Sequence, residues 1–268
     1  MTNYKIYYRK SLMEREELEA AQRHFDCVSL LTDIHKDDFV IPRYSLYPFP
    51  ADQEREIRNV GARLINTYDQ HLYVADLGNY VWDLADLTPY TWNDFTYVPN
   101  DIPLVLKGET NSRKNDWKNS MFAVNKKAAI EVHSRLCADS LIGQQKIYIR
   151  EYIPLKKYLT GIGGMPITKE FRFFVAYGRI LCGEYYWQNY IDDLEEKPNV
   201  NDVPFLFLQS VIDRVKDHVN FFVIDVAERE TGGWIVIELN DGSQSGLSCN
   251  NPELLYSALK QTLVYKGV

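Results

Sequence analysis

Two apolar runs, FFVIDVA and WIVIELN, flank the turn sequence Glu-Arg-Glu-Thr-Gly-Gly in the stretch Phe221 to Leu247, and this hairpin constrains the chain more than any other feature. The first run sets one acid, Asp225, among Phe, Val and Ile. The second carries Glu238 and Asn240 two residues apart, hence on one face of a strand. A two-residue turn at Thr231-Gly232 places Asp225 directly opposite Glu238, and any turn with an even number of residues keeps all three oxygen-bearing side chains on one face. Two carboxylates and an amide carbonyl converging on a sheet are hard oxygen ligands, the set that suits Mg²⁺ holding a nucleotide phosphate. Acids on the solvent face of a hairpin are the ordinary alternative, so the weight of the metal reading rests on the remaining chain.

With 268 residues there is length for a real core, as one large domain or two small ones. An apolar share of 46% with 25% charged residues is that of a globular protein and excludes disorder. The formal charge of −7 argues against general coating of nucleic acid, which works through basic residues on phosphates. Cys27, Cys137, Cys182 and Cys249 form no CxxC pair and read as small buried hydrophobes in a reducing cytosol. MTNYKIYYRK is too polar for a signal peptide, and no apolar run reaches membrane-spanning length. The expectation is a soluble, cytoplasmic protein without membrane partners.

Taken in order, residues 4–9 read as a strand, and a helix follows with Ser11 as N-cap and Glu14 completing a capping box. Residues 27–33 read as a second strand and 39–49 as an extended segment interrupted by proline. Helices are expected from Pro50 to about Asn66 and from Tyr68 to Leu87, the latter broken at Gly78. This alternation makes a small α/β unit over residues 1–95. The turn-rich, aromatic stretch 88–103 is the boundary to a lobe over 96–160, in which a strand from Leu104 to Leu106 delivers Lys107, a basic loop holds Arg113, Lys114 and Lys118, a helix runs over 126–143 to a capping Gly143, and 146–155 is a strand. A third part, 161–268, opens with a flexible Gly161-Ile-Gly-Gly connector. It continues with a hairpin over 169–187 turning at Tyr177-Gly178, an acidic loop at 192–202, an amphipathic helix over 204–220, the Asp225 hairpin, and a last helix capped by Asn251 with Pro252 in its first turn.

Each candidate residue has an ordinary reading beside its functional one. Lys107 ends an apolar strand, where it either grips an anion or snorkels into water. Arg172, in EFRFFV, shares a strand face with Glu170, its nearest structural partner; a bound phosphate is the alternative. Arg150-Glu151-Tyr152-Ile153 closes a strand just before Pro154, an edge that can offer backbone groups and apolar flanks to an adenine. There is no P-loop, no GxGxxG after the first strand, no kinase HRD or DFG, no HExxH and no GxSxG. The five histidines show no metal-ligand spacing, and no general base stands out.

In order, the lysine-ended strand, the polar loop, Glu-Tyr-Ile, the arginine-bearing strand, the lone Asp and Glu-x-Asn resemble the ATP-grasp superfamily. VLKG, REYI, EFRFFV and IELNDG look closest to its bacterial and phage clade named for two arginines and one lysine, which itself resembles eukaryotic translation-initiation assembly factors. The resemblance implies an α+β fold in which two lobes clasp ATP, preceded by a small α/β pre-ATP-grasp domain. It assigns ATP contacts to Lys107, Lys118, Arg150, Glu151, Tyr152, Ile153 and Arg172, with Lys107 and Arg172 also on the transferring phosphoryl group. It assigns Mg²⁺ to Asp225, Glu238 and Asn240, and the acceptor substrate to Asp241, Ser243 and Gln244. The loop GETNSRKNDWKNS departs from the family's glycine-rich pattern, having Gly108 alone. The implied activity is an ATP- and Mg²⁺-dependent carboxylate–amine ligase working through an acyl phosphate, with a protein, a peptide or a small metabolite as substrate. A kinase of the same fold and a non-catalytic ATP-binding assembly factor are the competing readings. A stable phosphorylated product without need of an amine would mark the first, and a stoichiometric protein complex the second.

Overall fold

A computed structural model describes residues 2–45 and 50–268, so the last four positions of the extended 39–49 segment lie outside the described residues. The chain begins with β1 (Tyr4–Tyr7), α1 (Arg15–Gln22), β2 (Asp26–Val28), β3 (Phe39–Pro42), α2 (Pro50–Asn59) and β4 (Arg63–Leu64). These strands form a parallel sheet ordered β2-β1-β3-β4. Two helix boundaries differ from expectation. Helix α1 starts at Arg15 and Ser11 does not cap it, because the chain first turns back on the Arg9 carbonyl and buries Met13. Helix α2 stops at Asn59 instead of Asn66, where Gly61 takes φ +81° and returns the chain to pair with β3.

The next helical stretch is divided into α3 (Tyr68–Ala75) and α4 (Leu77–Tyr80). The break is at Asp76 and not at Gly78: Asp76 leaves helical geometry and its carboxylate accepts the Gly78 N–H at 3.0 Å. Both helices lie on the back of the last sheet, where Val74, Leu77 and Tyr80 join its core.

The middle lobe is built from β5 (Thr91–Trp92), β6 (Leu104–Gly108), α5 (Trp117–Ser120), β7 (Phe122–Ala123), α6 (Lys126–Cys137) and β8 (Ile147–Glu151). Its antiparallel sheet, β5-β8-β6-β7, packs Leu104, Leu106 and Ile149 against Ala129, Val132 and Leu136 of α6. Asn125 caps α6 through the Ala128 N–H, but the helix ends at Cys137, and Gly143 belongs to a separate turn. Against the expectation of four buried cysteines, Cys182 is buried, Cys27 and Cys249 are half-buried and Cys137 is exposed; all four are free thiols.

The last lobe holds β9 (Lys157–Thr160), β10 (Pro166–Thr168), β11 (Glu170–Ala176), β12 (Arg179–Tyr185), α7 (Phe205–Val215), β13 (Phe221–Glu228), β14 (Trp234–Asp241) and α8 (Pro252–Lys266). Its main sheet is antiparallel, ordered β12-β11-β13-β14. One face is apolar throughout: Phe171, Phe173, Phe222, Ile224 and Leu239 pack on α7 and on α3–α4. The other face is divided. Phe174, Ala176, Phe221 and Val223 pack against α8 and the first unit, while Glu170, Arg172, Asp225 and Glu238 line the remaining half, which opens toward the middle lobe. That division makes a site, since a charged half-face cannot be closed by apolar packing. Among the described residues, no helix is long and apolar enough to cross a membrane.

The Gly161–Gly164 stretch is not a free connector between lobes. It is the turn of the β9–β10 hairpin, pressed against the basic loop of the middle lobe. Gly163 has φ +65°, and a Cβ there would stand 2.3 Å from the Asn115 carbonyl oxygen. Gly232, in the hairpin turn, also has positive φ (+88°) but open space around it. An alanine at Gly232 should therefore cost about 1 kcal/mol, the backbone term alone, whereas Gly163→Ala should cost clearly more because the contact is added to that term. Urea denaturation of the two variants measures the difference; equal losses would mean that the Asn115 contact gives way freely.

Candidate functional site

The hairpin of β13 and β14 sets Asp225 opposite Glu238 and Val223 opposite Asn240, so the acids and the amide share one face. The route to that register differs from the expected two-residue turn. Arg229 N–H bonds the Gly233 carbonyl at 2.9 Å and encloses three residues, an odd number. A bulge then shifts the pairing between Asp225 and Val226, which pairs with Val236 and leaves Ile237 as the extra residue. Without it, Glu238 and Asn240 would point to the face opposite Asp225. The Ile237 carbonyl at the bulge accepts Arg150 Nη1 at 2.6 Å, so the middle lobe holds the irregularity in place.

Arg172 lies opposite Asp225 on the neighbouring strand, and the row Arg172–Asp225–Glu238 crosses three strands. Its guanidinium is bidentate on Asp225, Nε to Oδ1 at 2.8 Å and Nη2 to Oδ2 at 2.7 Å, with Nη1 on the Gly246 carbonyl at 2.9 Å. The partner is thus Asp225 and not the adjacent Glu170. Burial works against the charge on Arg172, but Asp225 more than offsets it and raises the arginine's pKa. Lys107, in β6, reaches across the cleft to Glu238, Nζ to Oε2 at 2.5 Å. Burial pushes Glu238 up, yet the cations Lys107 and Lys114 outweigh it and hold the carboxyl well below its ordinary range.

Lys107, Lys114 and Glu238 line a cleft of about 800 Å³ between the two lobes, with the Arg172–Asp225 pair beside Glu238 in the sheet. One end of the cleft is an apolar slot of Val105, Met121, Tyr152, Ile153, Leu155 and Ile237. At its edge the Tyr152 N–H is already taken by the Pro103 carbonyl at 3.0 Å, while the Ile153 N–H has no partner among the described residues. Glu151 lines the same edge. Arg150 is 5% exposed and bonds Thr88, Thr91 and the Ile237 carbonyl, none of them anionic.

The basic loop contributes a different lysine from the expected one. Lys118 sits on α5, exposed and outside the cleft, its chain alongside Gly164. Lys114 enters instead: it donates to the Tyr186 hydroxyl at 2.6 Å and stands 4.3 Å over the Tyr186 ring and 5.3 Å from the Trp187 ring. Burial opposes its charge, and Tyr186, Glu238 and Glu170 together raise its pKa despite that. No sequence pattern separates Lys114 from Lys118; the choice is made by the two aromatics that follow β12.

Glu170 is a site residue that sequence reasoning took only as a partner for Arg172. It lines the cleft and is 3% exposed, its Oε1 has no hydrogen-bond partner, and Oε2 receives the Thr168 hydroxyl at 3.3 Å. Burial pushes its carboxyl up to about 7.

Glu238 and Asn240 offer the least committed oxygens for Mg²⁺: Glu238 keeps Oε1 free of hydrogen bonds and the Asn240 side chain makes none among the described residues, while each Asp225 oxygen accepts one hydrogen bond from Arg172 and retains a lone pair. One carboxylate and one amide oxygen suit an ion that keeps most of its shell for phosphates and water. No group of three His, Cys, Asp or Glu arranged to hold a metal occurs among the described residues.

Of the acceptor-side residues, Asp241 is buried and spends both oxygens on the protein, accepting from Asn66, His71 and the Ser243 N–H, so it builds the loop that follows β14. With Ser243, Gln244 and His71 it borders a second pocket of about 290 Å³ between this loop and the first unit.

A family model for ATP-grasp domains, family 3 of the clade named for two arginines and one lysine, matches residues 93–259. Solved structures share the whole architecture. D-cycloserine synthetase DcsG superposes with a TM-score of 0.62 at 13% identity, over 97% of this chain and 99% of that one. D-alanyl-alanine synthetase A from Vibrio cholerae gives 0.57 at 10% identity, over 98% and 99%. The macrocyclase MdnC from Microcystis aeruginosa, bound with precursor peptide MdnA, gives 0.58 at 11% identity, over 99% and 100%. At these identities the likeness is one of fold. No curated protein matches the chain in sequence.

The burial of Glu170 sets a pH dependence with a definite sign. Its folded pKa of about 7 lies above the ordinary 4.5, so between these values the folded state holds more protons than the unfolded one, and stability falls as pH rises through this window. Glu170→Gln should match wild type in urea denaturation near pH 4.5 and exceed it above pH 7 by about 3 kcal/mol. A difference that does not change with pH would show that the carboxyl titrates as an ordinary exposed acid.

Proposed function

This chain belongs to the ATP-grasp domains, in family 3 of the two-arginine, one-lysine clade, and on that basis we propose that it is an ATP- and Mg²⁺-dependent carboxylate–amine ligase. The observation that carries the reading is the meeting of Lys107 and Glu238, from opposite lobes and 131 residues apart in sequence, over a cleft with cations at one end and an apolar slot at the other.

The slot at Tyr152 and Ile153 would take the adenine, with the free Ile153 N–H as donor to a ring nitrogen. Lys107 has three N–H donors, so it can keep Glu238 and still bind phosphate oxygens. Arg172 has five, three of them spent on Asp225 and Gly246, which leaves two for the transferring phosphoryl group. Lys114 adds a third cation, and Arg150, buried without a counter-ion, a fourth. Glu238 and Asn240 would hold Mg²⁺, and Asp225 would orient Arg172. When bound, Mg²⁺ offsets negative charge on the phosphate oxygens. Such a concentration of fixed positive charge is suited to a transition state that spreads charge over phosphoryl oxygens.

In the proposed reaction a substrate carboxylate displaces ADP from the γ-phosphorus, giving an acyl phosphate. An amine then attacks the acyl carbon, phosphate leaves, and the amine's proton passes to the medium. The pocket bordered by Ser243, Gln244 and His71 is the proposed acceptor side. Its position beside the first unit supports a peptide or protein substrate, in keeping with a neighbour of the same fold solved with a precursor peptide.

Calorimetric titration with AMPPNP, with and without Mg²⁺, tests the reading. Wild type should bind in a Mg²⁺-dependent manner, and Glu238→Ala with Asn240→Ala should remove that dependence. Lys114→Met should weaken binding by about tenfold or more, the value of a charge-assisted hydrogen bond, and Lys118→Met should leave it unchanged. Folded wild type that binds no nucleotide would sink the proposal.

A further inference from the structure

Strand β14 ends the order of its sheet, so one of its edges has no strand beside it. Val236 and Leu239 are nevertheless buried, and buried backbone groups need partners. Residues from outside the sheet supply them. The Val236 N–H donates to the Leu87 carbonyl at 2.7 Å, and the Val236 carbonyl accepts the Thr88 hydroxyl at 2.9 Å. The Ile237 carbonyl accepts Arg150 Nη1 at 2.6 Å, and the Leu239 N–H donates to the Tyr80 hydroxyl at 3.1 Å. Arg150 Nη2 also donates to the Thr88 hydroxyl at 2.7 Å, which joins these partners into one clamp. Arg150 is 5% exposed and Tyr80 1%, so neither side chain has room to wander.

In a regular strand only every second residue turns its N–H and C=O to a given edge. Here Val236 and its neighbour Ile237 both do, and then Leu239, which is the signature of one extra residue. Leu87 and Thr88 thus bind the strand before the shift, and Arg150 and Tyr80 bind it after. A regular ladder would put Glu238 opposite Ile224, on the apolar face, and would take from Arg150 and Tyr80 the groups they hold. Packing of Leu239 in the apolar core selects the same face for Glu238, while the clamp fixes the backbone immediately before and after it. We propose that Arg150 and Tyr80 are positioning residues for the Mg²⁺ end of the cleft: by holding the Ile237 carbonyl and the Leu239 N–H, they keep Glu238 and Asn240 in the arrangement the ion requires. This rests on the Mg²⁺ reading above and goes beyond it, because neither residue is a ligand of the ion and Arg150 comes from the other lobe. Docking of the middle lobe on β14 and binding of Mg²⁺ then favour each other.

The test is calorimetric titration of AMPPNP, with and without Mg²⁺, on wild type, Tyr80→Phe and Arg150→Lys, each verified as folded by its thermal transition. The quantity read is the gain in affinity that Mg²⁺ confers. Tyr80→Phe keeps the ring and removes only the acceptor of the Leu239 N–H. It should lower the gain by about tenfold, as expected on losing a group that orients a metal ligand, and leave affinity without Mg²⁺ within about twofold. Arg150→Lys keeps the charge but loses the planar fork that spans Ile237 and Thr88, so its gain should fall by more than its Mg²⁺-free affinity. Should Arg150→Lys not fold, Tyr80→Phe decides by itself. A wild-type gain in both variants would overturn the proposal while leaving the Mg²⁺ site intact. Losses of equal size with and without Mg²⁺ would also overturn it, since the clamp would then serve the nucleotide and not the ion. Folded wild type that binds AMPPNP with no gain from Mg²⁺ would overturn the Mg²⁺ reading and this one together, and one that binds no AMPPNP would overturn the nucleotide reading as well.

Discussion

The ion pair of Arg172 and Asp225 anchors the site. Asp225 is fully buried and Arg172 nearly so, and each would be strongly destabilising without the other, since an uncompensated buried charge costs several kcal/mol. Their pairing joins the two central strands of the last sheet at one row, and Glu238 extends that row to the third strand. The candidate site is arranged about this row. Lys107 closes on it from the other lobe, Lys114 approaches it over Tyr186, and Glu170 stands one step above it. The pairing neutralises the acids without using up the cations, since Arg172 and Lys107 each keep two N–H donors.

The bulge at Ile237 shows how an irregular backbone can be held by a distant element. An odd turn followed by a regular ladder would have separated Glu238 and Asn240 from Asp225 by the thickness of the sheet. One extra residue restores the common face, and Arg150 of the middle lobe binds the carbonyl that the bulge exposes. The lobes are thereby linked at the residue directly before Glu238. The first unit is tied in a similar way: Arg43, between Glu17 and Tyr256, donates to the Gly242 carbonyl in the loop that follows β14, and Asn66 holds Asp241 and the Phe221 carbonyl. The role of this unit is thus partly to shape the loop next to the second pocket.

Much of the architecture was legible in local sequence. The two apolar runs around Gly232-Gly233 fold as a hairpin, Tyr177-Gly178 turns the preceding one, and Asn251 with Pro252 starts the last helix, because each depends on residues close to one another in the chain. Strand order and helix ends were less legible. Asp76, and not Gly78, breaks the α3–α4 stretch because its carboxylate is also wanted by Tyr148, 72 residues away. Contacts of that range compete with local propensity and are invisible in a window of neighbours.

The order of amino acids is enough to bring out Lys107, Arg150, Arg172, Asp225, Glu238 and Asn240, on or beside strands, with an apolar edge at Tyr152-Ile153. Strand periodicity and the rarity of charges in apolar runs make these residues conspicuous. How they pair is settled only in three dimensions. Arg172 goes to Asp225 rather than Glu170, since residues opposite on neighbouring strands lie closer than residues along one strand whose side chains run parallel. Lys114 enters the cleft in place of Lys118, because two aromatic rings from a different lobe receive it. And Glu170 stays buried with a free oxygen, a property that exists only once every other donor in reach has been assigned.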